Sequence, residues 1–261
     1  MTKLVNYSVS NHVATLELNN PPANAYSYEM FCQFDQHVLA ARMDDEVHVI
    51  LIRGSGDKFF CAGADIEMLK TAKPSFKYYF CLHSNETLRR LEETPKLVIA
   101  AIGGHCVGGG LEVAMAADLR IARQGKGKIG LPEVGLGVLP GTGGTQRLTR
   151  LVGRAKAMEL MFSGDNLSVD EAKEIGLVTN TLPEENFYEA VEKYAQGFCP
   201  PNKASRAVGH IKRAVQTGSD LGLDAGLALE RELQQRLFIS EDAQEGLRAF
   251  SERRKPNFSG Q

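Results

Sequence analysis

Two apolar runs, Val47 to Arg53 and Lys96 to Gly103, constrain the fold more than anything else in the chain. Neither alternates apolar with polar residues. A continuous β-branched and aliphatic run of this length suits a strand covered on both faces. The first ends at Gly54-Ser55-Gly56, and a loop-to-helix passage follows at Ala62 to Leu69, then a helix around Lys77 to Glu93. The second leads through Gly108, Gly109 and Gly110 into a helix through Ala117, with Asp118 to Ala122 again strand-like. Strand, helix, strand, helix over the first two-thirds implies parallel crossover units with helices covering the sheet, an α/β class.

The flanks are read in the same way. Residues 3–18 alternate like two strands with a turn at Asn11-His12, and Pro21-Pro22 starts a loop. Ser27 is placed to cap a helix running to about Arg42 with Met30 inside it. Helices dominate from Gly144 onward, punctuated by Gly164, Gly176, Pro183 and Pro200-Pro201, and no strand is expected from about residue 200. That divides the chain into a core over 1–199 and a C-terminal helical region over 200–261, which packs on the core or on a neighbouring subunit. No repeat or low-complexity segment interrupts either.

Composition narrows the function. At 261 residues, 43% hydrophobic and 24% charged, the chain has the profile of an ordinary soluble domain. A formal charge of −2 gives no global attraction for nucleic acid. Cys32, Cys61, Cys81, Cys106 and Cys199 are odd in number and lack CxxC spacing, so neither a disulfide framework nor a metal site is expected. The start of the chain resembles no secretory or transit peptide, and runs such as Leu97 to Ile102 are far too short to span a bilayer. A cytoplasmic location, with no membrane partner, is the expectation.

Two segments join glycine to the start of a helix: Cys61 to Ile66, and Gly103 to Glu112. Glycine lets backbone amides approach a ligand closely, and a helix N-terminus adds unpaired N–H groups with partial positive charge. Either segment alone is equally an ordinary strand-to-helix turn. No Walker-type phosphate loop is present, and Gly104 to Gly110 has the wrong spacing for a dinucleotide fingerprint. Glu112 lies in the first turn of its helix, where a capping role is the plain alternative. Glu133 is a lone carboxylate among Ile129, Gly130, Leu131, Pro132, Val134 and Gly135, where its proton affinity tends to rise. Two carboxylates in different surroundings are what general acid–base addition of water requires.

Ala62 to Ile66, Gly108 to Glu112 with Ala114 to Asp118, Leu131 to Glu133, Leu139 to Leu148 and Phe250 to Phe258, in that order, resemble the enoyl-CoA hydratase/isomerase (crotonase) superfamily over almost the whole chain. The resemblance implies a spiral of ββα turns with a C-terminal helical trimerisation region, assembled as homotrimers or homohexamers. It implies an oxyanion hole at the amides of Ala62 and Gly109 and catalytic Glu112 and Glu133. It also implies an acyl-CoA site lined by Asn24, Ala25, Ala62, Gly63, Ala64, Asp65, Ile66 and Gly108. Phe250 and Arg253 match positions where a neighbouring subunit's tail touches the nucleotide of CoA. No cofactor is implied, since coenzyme A is part of the substrate.

The implied reaction is the reversible addition of water to a trans-2-enoyl-CoA. Charge collects on the thioester oxygen as an enolate, which two amides would hold, each worth about 3 kcal/mol. Glu112 is assigned to activating the water and Glu133 to delivering a proton to the α-carbon. Asp65 serves equally as a helix cap, and the cluster Phe76, Tyr78, Tyr79, Phe80 serves equally as core or acyl-chain border. His105, Cys61 and Asp118 are read as structural, and Gly141 to Gly144 as a wall or packing turn. Departures from the family pattern are Tyr26 where an aliphatic residue is commoner, Leu131 before Pro132, and a lengthened loop over 123–128. The alternatives are an enoyl-CoA isomerase, whose members generally lack the first glutamate, a non-catalytic acyl-CoA scaffold, and an RNA binder. The last needs lysines on the early helix, and residues 27–42 contain none.

Overall fold

The computed structural model describes residues 2–261. β1 (Val5–Ser10) and β2 (Val13–Leu18) form an antiparallel hairpin from Val5 opposite Leu18 to Ser10 opposite Val13. Both turn residues, Asn11 and His12, have positive φ, the geometry whose twist matches that of the strands. The chain continues through α1 (Tyr28–Met43), β3 (Val49–Gly54), β4 (Phe59–Cys61), α2 (Ile66–Thr71), α3 (Pro74–Glu93), β5 (Leu97–Ile102), β6 (His105–Val107), α4 (Gly109–Met115), β7 (Leu119–Arg123) and β8 (Ile129–Gly130). After these come α5 (Gly144–Val152), α6 (Arg154–Ser163), α7 (Val169–Glu174), β9 (Asn180–Leu182), α8 (Phe187–Gln196), α9 (Ser205–Gly218), α10 (Leu223–Phe238) and α11 (Glu241–Ser251).

Two sheets result. One has six strands in the order β1-β2-β3-β5-β7-β9, the other three in the order β4-β6-β8, and every pair except β1 with β2 is parallel. From β3 to β9, successive strands alternate between the sheets. Helices follow β4 and β6, which makes the chain a spiral of strand, strand, helix turns.

The double-sided burial inferred for the central strands is observed. Val49 and Leu51 join Leu97, Ile99 and Ala101 against Phe187, Val191 and Ala195 of α8. Ile50 and Ile52 join Val98, Ala100 and Ile102 on the opposite side, with Phe31, Phe34 and Val38 of α1 and Leu88 and Leu91 of α3. Ser27 caps α1 as expected, its hydroxyl accepting from the amide of Met30 at 3.3 Å.

The strands of the small sheet were not anticipated, because two to three residues carry no readable period. Within the stretch that helices dominate beyond Gly144, a further short strand, β9, completes the edge of the large sheet beside β7. In the tail, α9 docks so closely that a Cβ at Gly209 would lie 2.2 Å from the carbonyl oxygen of Pro95. α10 and the residues around it leave Leu223, Phe238 and Ile239 exposed. No described helix is long and apolar enough to cross a membrane.

Candidate active site

The small sheet positions the site. Its register sets Cys61 beside Cys106 and Val107 beside Gly130, so the C-terminal ends of β4, β6 and β8 open side by side. The loops leaving those ends carry Ala62 to Asp65, Gly108 to Glu112, and Leu131 to Leu136. They wall a cavity of about 660 Å³ with Tyr26, Lys77, Gly141 and Thr142. Ile66, Leu69, Leu136, Val138 and Leu139 give it a largely apolar lining. A concave apolar space with a few convergent polar groups is the general form of a small-molecule site.

Two glycines are required by this geometry. Gly108 has φ 57° and ψ −135°, closed to L side chains, and a Cβ there would stand 3.1 Å from Oε1 of Glu133. Gly63 has φ 91°, and a Cβ there would stand 2.9 Å from the amide nitrogen of Gly109. The two loops therefore approach each other as bare backbone.

That approach decides which amides are free. Ala62 donates its N–H to the carbonyl of Ala23 at 3.0 Å, which corrects its assignment as an oxyanion donor: the hydrogen is spent inside the protein. The Gly63 amide points to Sγ of Cys61, and those of Asp65 and Gly108 go to the carbonyls of Tyr26 and Gly130. Among the described residues, the amides of Ala64 and Gly109 meet no backbone acceptor. Gly109 opens α4, where the first amides of a helix have no internal partner.

Glu112 is 1% exposed and held by three donors. Oε1 accepts from the amides of Thr142 at 2.8 Å and Gly144 at 2.7 Å, and Oε2 accepts from the hydroxyl of Thr142 at 2.5 Å. A carboxyl so surrounded serves as an acceptor. Glu133 is its opposite. Its Oε2 is buried with no hydrogen-bond partner. Burial, helped by the nearby charge of Glu112, pushes its carboxyl up to about 7. One group is fixed to accept a proton and the other is poised to hold one near neutrality.

The remaining residues separate cleanly. Ala62, Gly63, Ala64, Ile66 and Gly108 line the cavity. Asn24 and Ala25 do not, which corrects that expectation. Asn24 is buried with φ 51°, and its side-chain Nδ2 donates to the carbonyls of Ser55 at 2.9 Å and Phe59 at 3.0 Å. Ala25 lends its carbonyl to the side chain of Asn20 at 2.6 Å. Both brace the loop from behind. Asp65 caps α2, accepting from the amides of Glu67 and Met68. Phe250 stands 87% exposed on α11, and neither it nor Arg253 lines the cavity of its own chain.

The structural readings hold. His105 faces Phe59 and accepts from the amide of Lys128, and burial pushes the Cys61 thiol up to about 12. Phe80 is core while Tyr78 and Tyr79 are exposed, and it is Lys77 of that segment that reaches the cavity. Among the described residues no cluster of His, Cys, Asp and Glu is arranged to hold a metal ion. Sequence reasoning missed the part played by Thr142 and Gly144, whose turn supplies all three donors to Glu112. Their partner lies some thirty residues away along the chain, so no local spacing announces it.

Comparison with known proteins bears on this site. The family described as enoyl-CoA hydratase/isomerase matches residues 8–261. A crotonyl-CoA hydratase of Syntrophomonas wolfei is 38% identical over 94% of this chain and 94% of its own. A short-chain-enoyl-CoA hydratase of Clostridium acetobutylicum is 38% identical over 93% and 92%. A crystal structure of an enoyl-CoA hydratase from Geobacillus kaustophilus superposes with a TM-score of 0.97 at 42% identity, covering 100% of this chain and 98% of that one.

Proposed function

The chain belongs to the enoyl-CoA hydratase/isomerase family, and from that premise we propose that it is a hydro-lyase adding water reversibly to a trans-2-enoyl-CoA. One observation carries the reading beyond the family. A fixed acceptor carboxylate, a proton-holding carboxyl and two unclaimed amides all open on one apolar cavity.

The thioester oxygen sits between the amides of Ala64 and Gly109, which stabilise the enolate as it forms, each by about 3 kcal/mol. Glu112 and Glu133 share one water. Glu112 takes its proton as the oxygen bonds to C3, and Glu133 delivers a proton to C2. Water supplies the hydroxyl, Glu133 the added hydrogen, and the proton left on Glu112 returns to Glu133 to reset the pair, so the reaction draws on no cofactor beyond the coenzyme A of the substrate. Because the two carboxyls interact, their protons belong partly to the pair.

The same reading extends to assembly and location. Exposed Leu223, Phe238, Ile239 and Phe250 suit a homotrimer or homohexamer in which a neighbour's Phe250 and Arg253 cover the nucleotide. A water-borne thioester substrate suits the cytoplasm.

The test is direct. Crotonyl-CoA should lose its conjugated absorbance with formation of 3-hydroxybutyryl-CoA, and Glu112→Gln and Glu133→Gln should each lower kcat by at least about 100-fold. Conversion of a 3-enoyl-CoA to the 2-enoyl isomer with no hydroxyacyl product would establish double-bond migration instead. Unchanged turnover in Glu133→Gln would point to a binding scaffold or another site.

A further inference from the structure

Tyr26 enters the cavity wall from a loop that allows it no freedom. Its amide donates to the carbonyl of Gly63 at 2.9 Å and its carbonyl accepts from the amide of Asp65 at 2.9 Å. The ring, 4% exposed, meets Phe31 edge-on at 4.7 Å and Phe80 at 6.0 Å. The hydroxyl is therefore placed, and what it meets is Oγ1 of Thr142 at 3.1 Å. Thr142 in turn reaches Oε2 of Glu112.

The direction of this chain follows from counting hydrogens. A threonine hydroxyl has one, and an ionised carboxylate has none to give. The Thr142 hydrogen therefore goes to Glu112, and Tyr26 must supply the hydrogen between the two hydroxyls. Burial, with the charge of Glu112 adding to it, keeps the phenol protonated far beyond neutral pH. A donor feeding a hydroxyl that itself donates strengthens the second bond.

The consequence falls on one oxygen. Oε1 of Glu112 is engaged by two amides, whereas Oε2 has only the Thr142 hydroxyl. The phenol oxygen also lies against the other arm of the site: a Cβ at Gly109 would stand 1.9 Å from it. One rigid side chain thus touches the loop that offers the Gly109 amide and the hydroxyl that steers the carboxylate.

We propose that Tyr26, acting through Thr142, is a positioning residue for water addition, holding Oε2 of Glu112 in line with the attacking water. The inference rests on the hydratase reading above. Because Tyr26 has no other polar route to Glu112, its hydroxyl is silent once Thr142 loses its own.

Steady-state kinetics on crotonyl-CoA with Tyr26→Phe, Thr142→Val, Thr142→Ser and the double Tyr26→Phe, Thr142→Val variant test this. Tyr26→Phe should lower kcat about 3- to 10-fold with KM within about 2-fold, and Thr142→Val should lower it about 10- to 100-fold. Thr142→Ser, which keeps the hydroxyl, should stay within about 3-fold of wild type, and the double variant should match Thr142→Val alone. An unchanged kcat in Tyr26→Phe, an effect confined to KM, or a further full loss on the Thr142→Val background would overturn the relay. Absence of hydration by the wild type would instead remove the proposed function. The relay is then still read without turnover, from the downfield hydroxyl proton of the short Thr142–Glu112 bond. That proton should be present in wild type and Thr142→Ser, shifted upfield in Tyr26→Phe and missing in Thr142→Val. An identical resonance in wild type and Tyr26→Phe would again overturn it.

Discussion

Asp118 and Lys212 form an ion pair at 2.9 Å with both side chains almost wholly buried, joining the start of β7 to α9 in the C-terminal region. Asp118 also accepts from the amide of Val98 at 2.8 Å, and Lys212 donates to the carbonyls of Leu91 and Lys96. Desolvation raises the aspartate's proton affinity and lowers that of the lysine, each opposed by the other's charge. Removing one partner strands the other in a dry environment. Lys212→Met should cost about 3–5 kcal/mol. The double Asp118→Asn, Lys212→Met variant should be more stable than Lys212→Met, since Asn keeps an acceptor for Val98. Urea unfolding of the three proteins decides, and equal midpoints would show that the pair does not couple tail to core.

Glu133 gives the protein a pH dependence whose sign is fixed. Burial raises its carboxyl from an ordinary 4.5 to about 7. Between those values the folded chain holds a proton that the unfolded chain has released, so stability falls as pH rises through this window and levels off above it. The effect should be on the order of 1 kcal/mol, allowing for solvent at this partly exposed group. Glu133→Gln should flatten the slope between pH 5 and 8 in urea titrations. Function should follow the same group: both directions use the carboxyl pair carrying one proton, so kcat/KM for hydration and for dehydration should decline together above about pH 7. A kcat/KM that stays level from pH 6 to 9 in both directions would exclude Glu133 as the proton carrier.

How far the sequence carried this picture depends on the distance between interacting parts. Val47 to Arg53 and Lys96 to Gly103 read as buried strands because their own residues encode double-sided burial, and both are. Glu133 read as perturbed because its apolar neighbours are adjacent in sequence. By contrast, Phe59–Cys61 and His105–Val107 are strands only because they pair with each other. The family resemblance places Asn24 against the substrate, whereas the residue of that loop that lines the cavity is Tyr26, two positions on, and one-residue resolution is more than a motif supplies. The same shortfall placed an oxyanion donor at Ala62. Which amide in Ala62-Gly63-Ala64 is free depends on Ala23, a residue on another loop.

That last correction makes a sharp structural prediction. In a complex with an acyl-CoA, the thioester oxygen should lie about 2.7–3.1 Å from the amide nitrogens of Ala64 and Gly109. Gly109→Ala should abolish turnover, because its Cβ would collide with the Tyr26 hydroxyl and displace the very amide required. A thioester oxygen bonded to the amide of Ala62, with Ala23 released, would return the assignment to the family pattern read from sequence.

The cysteines test whether any part of the chemistry runs through a thiolate. Cys61 ends β4, one residue before Ala62 of the cavity wall. Burial nevertheless lifts its thiol to about 12, only partly offset by the amide of Gly63 at 3.4 Å, so almost none is ionised at neutral pH. Burial raises Cys106 and Cys199 as well, whereas Cys32 and Cys81 are half-buried. Iodoacetamide at pH 7.5 should therefore label Cys32 and Cys81 in the folded protein and reach the other three only in urea. Cys61→Ala should keep kcat within about 3-fold of wild type, since it removes one sulfur from a packed wall and no reacting group. Rapid labelling of Cys61 with parallel loss of activity would contradict the two-carboxylate chemistry and make the thiol a participant.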